Sequence, residues 1–117
     1  MNKCGVSFRK NRPCKTRLIK PSALTHPSEA IIRRRIVQAV LRRWPTAWVY
    51  HPSERFRSGI PDLLIIVPPH GRLLAIEVKT PTTFPTRLQV FTLTAIRQAG
   101  GSAHILRDPS EVADVMC

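Results

Sequence analysis

Apolar residues recur at helical spacing near the start of the chain. Ile32, Ile36 and Val40 lie four residues apart, mainly with polar and basic residues between them, which is typical of a helix that buries one face. Either Thr25 or Ser28 can cap this helix, because a side-chain oxygen there accepts a hydrogen bond from a free backbone amide. The pattern predicts a first helix that ends at the next proline.

Two apolar runs flank a short breaker and predict a β-hairpin. The runs cover residues 62–67 and 72–79, and the breaker at 68–71 contains two prolines and a glycine. Both strands are apolar nearly throughout, which suits central strands covered by helices on both faces. If Val67 pairs with Arg72 across the breaker, the register of the whole hairpin is fixed.

The remaining pattern completes a mixed arrangement of helices and strands. A short strand is predicted at 48–51, a helix at about 85–99 before a double glycine, a strand at 103–107 and a closing helix at 109–116. The predicted order is α-β-β-β-α-β-α. We therefore expect an α/β fold with a mixed central β-sheet flanked by helices.

The predicted register brings two acidic residues together. Asp62 is expected opposite Glu77, with Lys79 one step beyond on the same face. Directly opposed side chains have Cβ atoms about 5 Å apart, so two carboxylates need compensation. This compensation can come from a divalent cation between them, from protonation of one acid, or from an ion network with basic residues. A slip of one residue would move Asp62 off the shared face.

The charge of the chain indicates a polyanionic partner. Nineteen Lys and Arg against seven Asp and Glu give a net charge of +12, and residues 1–25 contain seven basic residues and no acid. Nucleic acid is the expected partner. The first segment also lacks periodicity, so we predict a basic N-terminal arm at 1–25 before one domain at 26–117. Charge alone does not separate a nuclease from a passive binder.

Basic side chains in three places are candidates for DNA contacts. The candidates are Arg55 and Arg57 before the second strand, Arg33 and Arg34 on the first helix, and Lys10, Arg12, Lys15 and Arg17 in the arm. A solvated helix face is the alternative for Arg33 and Arg34. Three aromatic residues, Trp44, Trp48 and Phe91, are expected in the core rather than at a base-stacking surface, and Tyr50 is expected on a strand that borders the site.

Other classes are disfavoured by composition. The chain has no apolar run of membrane-spanning length and no secretory signal at its start. Its three cysteines, an odd number, do not suggest a disulfide framework. Reduced thiols in a cytoplasm-like compartment are expected instead. We expect neither a membrane partner nor an organic cofactor.

Two sequence segments resemble the signature of the PD-(D/E)XK nucleases. Residues 58–62 read Ser-Gly-Ile-Pro-Asp, and residues 75–80 read Ala-Ile-Glu-Val-Lys-Thr after an apolar strand and a turn. Within that superfamily, residues 27–116 resemble the virus-type replication-repair nuclease (VRR-NUC) family. Gln89 early in the next helix and the glycine pair at 100–101 strengthen the resemblance.

The resemblance implies a restriction-endonuclease-like fold and a Mg²⁺-dependent DNA endonuclease. By position, Asp62 and Glu77 would bind Mg²⁺ or Mn²⁺, the backbone carbonyl of Val78 would add a ligand, and Glu29 is a further candidate. Lys79 would orient or deprotonate the attacking water. A cation makes water more nucleophilic and stabilises charge at phosphorus, so these residue types suit phosphodiester hydrolysis.

The resemblance also carries expectations about substrate and assembly. Gln89 would steady the site or contact substrate. We expect the substrate to be branched DNA of the Holliday-junction type and the assembly to be a homodimer. We also expect a role in DNA repair, in the cytoplasm of a bacterium or a phage-infected cell. The alternatives are a non-catalytic DNA-binding module on the same fold, a sequence-specific restriction-type nuclease and an RNA-processing enzyme.

Overall fold

The computed structural model describes residues 26–52 and 58–115. Its elements follow the predicted order: α1 Glu29–Arg43, β1 Trp48–Tyr50, β2 Leu63–Val67, β3 Arg72–Val78, α2 Arg87–Gln98, β4 Ser102–Leu106 and a closing 3₁₀ helix Pro109–Asp114. The predicted arm at 1–25 lies outside the described residues, as do Arg55 and Arg57. In the described ranges, none of the helices has the length and apolar character needed to traverse a membrane.

The sheet is mixed, as predicted. Its strand order is β1-β2-β3-β4, with antiparallel pairing from β1 to β3 and parallel pairing between β3 and β4. The hairpin register is also confirmed, since Val67 pairs with Arg72 and the ladder continues to Leu63 opposite Ile76. β2 and β3 are therefore the central strands.

The main core lies between α1 and one face of the sheet. Ile32, Ile36 and Val40 of α1 are at most 1% exposed, and they pack on alternate residues of the hairpin strands. These residues are Leu63, Ile65, Val67, Leu74, Ile76 and Val78. Ser28 is the residue that caps α1, because its side chain accepts a hydrogen bond from the amide of Ile31.

Helix α2 covers part of the opposite face. Leu93 of α2 packs with Ala75 of β3 and Ala103 of β4, and Leu64 and Ile105 border this smaller cluster. Because residues alternate along β3, the face that carries Ala75 also carries Glu77. The sheet therefore presents its acidic residue toward the side on which α2 lies.

Two of the three aromatic residues expected in the core are not there. Trp48 on the edge strand β1 is 57% exposed, and Phe91 on α2 is 70% exposed. Trp44 alone is half-buried and packs against the main core. The prediction for Trp48 and Phe91 was wrong, because an edge strand and the outer side of a helix leave apolar side chains without a covering layer.

The closing helix is a 3₁₀ helix, not an α-helix. Asp108 caps it and Glu111 completes a capping box. At the other end of the element, the guanidinium of Arg43 donates hydrogen bonds to the carbonyl oxygens of Val112 and Val115. The last turn of α1 therefore holds the closing helix against the main core.

Candidate active site

Asp62 lies directly before β2 and is almost completely buried. The β2–β3 ladder ends at Leu63 and Ile76, so Asp62 stands one residue beyond its last pair. Its Oδ2 accepts a hydrogen bond of 2.8 Å from the backbone amide of Val78. This contact satisfies a buried donor where the ladder has stopped, and it anchors the carboxylate beside the end of β3.

Glu77 is the most buried acid of the described chain, with 2% of its surface exposed. Its Oε2 accepts a hydrogen bond of 2.8 Å from Nε2 of Gln89. The Nζ of Lys79 lies 3.7 Å from the same oxygen, and Lys79 is itself 9% exposed. The two side chains are neighbours because residues two apart on an extended strand point to the same face.

Gln89 is held in one orientation by the start of α2. Its Oε1 accepts a hydrogen bond of 2.8 Å from the backbone amide of Thr86, and its own amide donates to Oγ1 of Thr86 at 3.1 Å. This capping box leaves only the NH₂ group of Gln89 to face Glu77. The site and the helix terminus therefore share one side chain.

Glu29 is attached to the loop that follows Lys79. Its Oε2 accepts a hydrogen bond of 3.3 Å from Oγ1 of Thr83, and the same oxygen of Thr83 accepts one of 2.9 Å from the backbone amide of Thr80. Arg107 donates to the carbonyl oxygens of Thr80 and Thr83. Sequence reasoning missed Arg107, whose position beside this loop follows from the parallel pairing of β3 with β4.

The donor set at this point is suited to a hard divalent cation. Asp62 and Glu77 supply carboxylate oxygens, the ligand type that Mg²⁺ prefers. Within residues 26–52 and 58–115, no three His, Cys, Asp or Glu side chains gather as a metal-holding group.

Two of the predicted DNA contacts border an open groove between α1 and β1. Arg33 and Arg34 line this groove, which has a volume of about 490 Å³ and reaches Leu63, the neighbour of Asp62. His51, at the end of β1, also lines it. The groove lies on the α1 side of the sheet. The remaining predicted contacts, Arg55, Arg57, Lys10, Arg12, Lys15 and Arg17, lie outside the described residues.

Comparison with known proteins gives one family match and one structural match. The family model described as "VRR-NUC domain" matches residues 6–107. A solved structure described as "VRR_NUC domain" has 27% sequence identity with the chain and a TM-score of 0.56, and the match covers 69% of this chain and 89% of the other. No curated protein matches the chain.

Proposed function

The chain belongs to the VRR-NUC domain family, and from this membership we propose that it is a divalent-metal-dependent endonuclease that hydrolyses phosphodiester bonds in DNA. The observation that carries the proposal is the pair of buried acids, Asp62 and Glu77, at the ends of adjacent strands with Lys79 beside them. A passive DNA-binding protein has no need of two neighbouring buried carboxylates.

The donor set supports three proposed metal ligands. Asp62, Glu77 and the backbone carbonyl of Val78 would hold Mg²⁺ or Mn²⁺. The cation, when bound, supplies charge stabilisation at phosphorus and a more acidic water. The hydrogen bonds from Val78 to Asp62 and from Gln89 to Glu77 orient the two carboxylates before any ligand arrives.

Lys79 and Glu29 have the remaining proposed roles. Lys79 orients the attacking water or, as a neutral amine, accepts its proton, and its Nζ lies 3.7 Å from Oε2 of Glu77. Glu29 assists in positioning the metal or the water through Thr83, which links it to the loop after Lys79. Water loses a proton as it attacks phosphorus, the bond from phosphorus to the 3′ oxygen breaks, and that oxygen takes up a proton from solvent. The products carry a 5′-phosphate and a 3′-hydroxyl.

The net charge of +12 supports DNA as the substrate. We place phosphate contacts at Arg33 and Arg34 on the groove beside β1. Further contacts are proposed for basic residues beyond the described ranges, namely Arg55, Arg57, Lys10, Arg12, Lys15 and Arg17. Branched DNA cut by a homodimer is the substrate and assembly that we propose, because two strands require two active sites.

A cleavage panel tests this function. Duplex, flap, four-way junction and RNA substrates are incubated with the full chain in Mg²⁺, Mn²⁺ or EDTA. We expect metal-dependent cutting of DNA that is lost in Asp62→Asn while DNA binding persists. Asp114→Asn is the matched control, because Asp114 is an exposed acid on the closing helix.

The panel also separates the rival functions. DNA binding without cleavage in every metal would contradict the proposal and indicate a non-catalytic module. Discrete fragments from plain duplex would indicate a sequence-specific nuclease, and cleavage confined to RNA would indicate an RNA-processing enzyme.

A further inference from the structure

The edge strand β1 carries a pair of stacked aromatic side chains in contact with solvent. The rings of Trp48 and Tyr50 have centroids 5.7 Å apart and planes inclined by 11°. Trp48 is 57% exposed and Tyr50 is 47% exposed. The two residues point the same way because they are two apart on an extended strand. Neither the fold nor the proposed chemistry accounts for them.

The pair lies on the same face of the sheet as Glu77. Tyr50 is opposite Leu64, and Leu64 is opposite Ala75. Ala75 and Glu77 share a face of β3 because side chains alternate along a strand. Tyr50 is one strand away from Asp62 and two residues along, which puts their Cα atoms about 8 Å apart at ordinary strand spacing. Tyr50 is therefore the ring nearer to the candidate active site, and Trp48, opposite Ile66, lies two residues further along the sheet.

Trp48 and Tyr50 remain exposed although α2 lies on the same face of the sheet. Helix α2 covers the same face around Ala75 and β4 through Leu93, and this cluster extends to Leu64 of β2. Ile66, which is opposite Trp48, is 38% exposed. The uncovered area is thus an apolar surface next to the acids. Contiguous exposed apolar surface is typical of binding sites.

Nucleobases are the occupant that the chemistry favours. Every base has a flat π-face, and aromatic side chains bind single-stranded nucleic acid by stacking on it. The net charge of +12 attracts a polyanion to the molecule, so the surface meets DNA at high local concentration. In a duplex the base faces are covered by their neighbours, and only unpaired bases can reach the rings.

We propose that Trp48 and Tyr50 form a stacking platform for unpaired DNA bases beside the active site. This inference rests on the proposed function, and it specifies the substrate class. The preferred DNA has a single-stranded segment adjacent to the bond that is cut. The edge position of β1 leaves room for the strand to continue beyond the sheet.

Binding of oligo(dT) to the full chain in EDTA tests the platform directly. The chain has two tryptophans, so Trp44→Phe leaves Trp48 as the single tryptophan, whose emission is excited selectively at wavelengths that tyrosine does not absorb. We expect oligo(dT) to quench its fluorescence. In the otherwise unchanged chain, Trp48→Leu and Tyr50→Leu should each weaken oligo(dT) binding at least fivefold and duplex binding less than twofold, while Trp48→Phe and Tyr50→Phe retain most of the affinity.

Phe91→Leu is the matched control. Phe91 is 70% exposed, but it lies two residues from the buried Leu93, and two helical positions are about 200° apart. Its ring therefore points away from the sheet, and its loss should leave oligo(dT) affinity unchanged. Thermal unfolding of each variant identifies any that have lost the fold, and the phenylalanine variants then provide the comparison.

Three results would overturn the platform. They are no quenching by oligo(dT), an equal loss of duplex and single-strand affinity in the leucine variants, and a change in Trp48 emission that follows protein concentration instead of DNA. The last would identify the surface as a contact between copies of the chain. The measurements need no metal, so they are independent of cleavage. A chain that never cuts DNA can pass them, and a chain that cuts can fail them.

Discussion

The side-chain amide of Gln89 donates a hydrogen bond of 2.8 Å to Oε2 of Glu77 and ties the start of α2 to the centre of the sheet. The oxygen of the same amide closes the capping box with Thr86. One side chain therefore stabilises the helix terminus and orients a proposed metal ligand. The position of α2 controls the geometry of the site.

Substitutions at Gln89 and Thr86 separate these two roles. Both Gln89→Ala and Thr86→Ala remove part of the capping box, so each should lower the free energy of unfolding by about 1 kcal/mol. Only Gln89→Ala also removes the partner of Glu77, and its cleavage rate should fall roughly tenfold, the equivalent of one hydrogen bond. Denaturant unfolding and single-turnover cleavage measure the two effects. Equal cleavage rates in both variants would show that Gln89 acts only as a cap.

Gly59 occupies a position near Asp62 that no other residue fits well. Its φ is +81°, and an added Cβ would lie 2.5 Å from Cγ of Leu88. Gly59→Ala should cost about 2–3 kcal/mol in the free energy of unfolding, because steric overlap adds to backbone strain. Urea denaturation measures the loss, and Leu88→Ala in the same chain should restore part of it.

Gly100 provides the matched comparison for Gly59. Its φ is +99°, but an added Cβ would meet nothing within 4 Å. Gly100→Ala should therefore cost only the backbone strain, about 1–2 kcal/mol. If both alanine variants lose the same stability and Leu88→Ala restores nothing, close packing of Gly59 on α2 has no energetic consequence.

His104 on β4 should make stability depend on pH. Burial, with the positive charge of Arg97 as a second cause, holds the pKa of His104 below its ordinary value of 6.5. Between the folded and unfolded pKa values the unfolded chain binds more protons, so the free energy of unfolding falls as the pH drops below about 6.5. His104→Gln should flatten this part of the profile. An unchanged slope in the variant would assign the pH dependence to other groups.

Asp108 acts in a different range of pH. Hydrogen bonds from the side chain and then the backbone of Ser110 are the main causes that lower the pKa of Asp108 from 3.8. The contribution of Asp108 to the free energy of unfolding is therefore fully present above about pH 3.8, and it is lost only in stronger acid. Measurements between pH 5 and 7.5 therefore report on His104 without this second group.

Local patterns predicted most of the fold. The breaker at 68–71 and the apolar alternation around it determine the hairpin register, and Ile32, Ile36 and Val40 identify the buried face of α1. Both features depend on residues close in sequence. The contact of Arg107 with the loop after Lys79 joins segments far apart in sequence, and it could not be predicted before the strand order was known.

The candidate site was only partly predictable for a related reason. Register placed Asp62 and Glu77 on neighbouring strands, but the ladder ends at Leu63, and the carboxylate of Asp62 instead contacts the amide of Val78. The exposed position of Trp48 was missed because residue type does not reveal which strand forms the edge of a sheet. That edge is where the proposed base-stacking surface lies.

Titration of Mn²⁺ into the full chain, followed by calorimetry, tests most directly whether Asp62 and Glu77 share a divalent cation. The account predicts that Asp62→Asn and Glu77→Gln each weaken Mn²⁺ binding by at least about tenfold, while Asp114→Asn binds as the unchanged chain does. Equal affinity in all four proteins, or no binding by any of them, would contradict it.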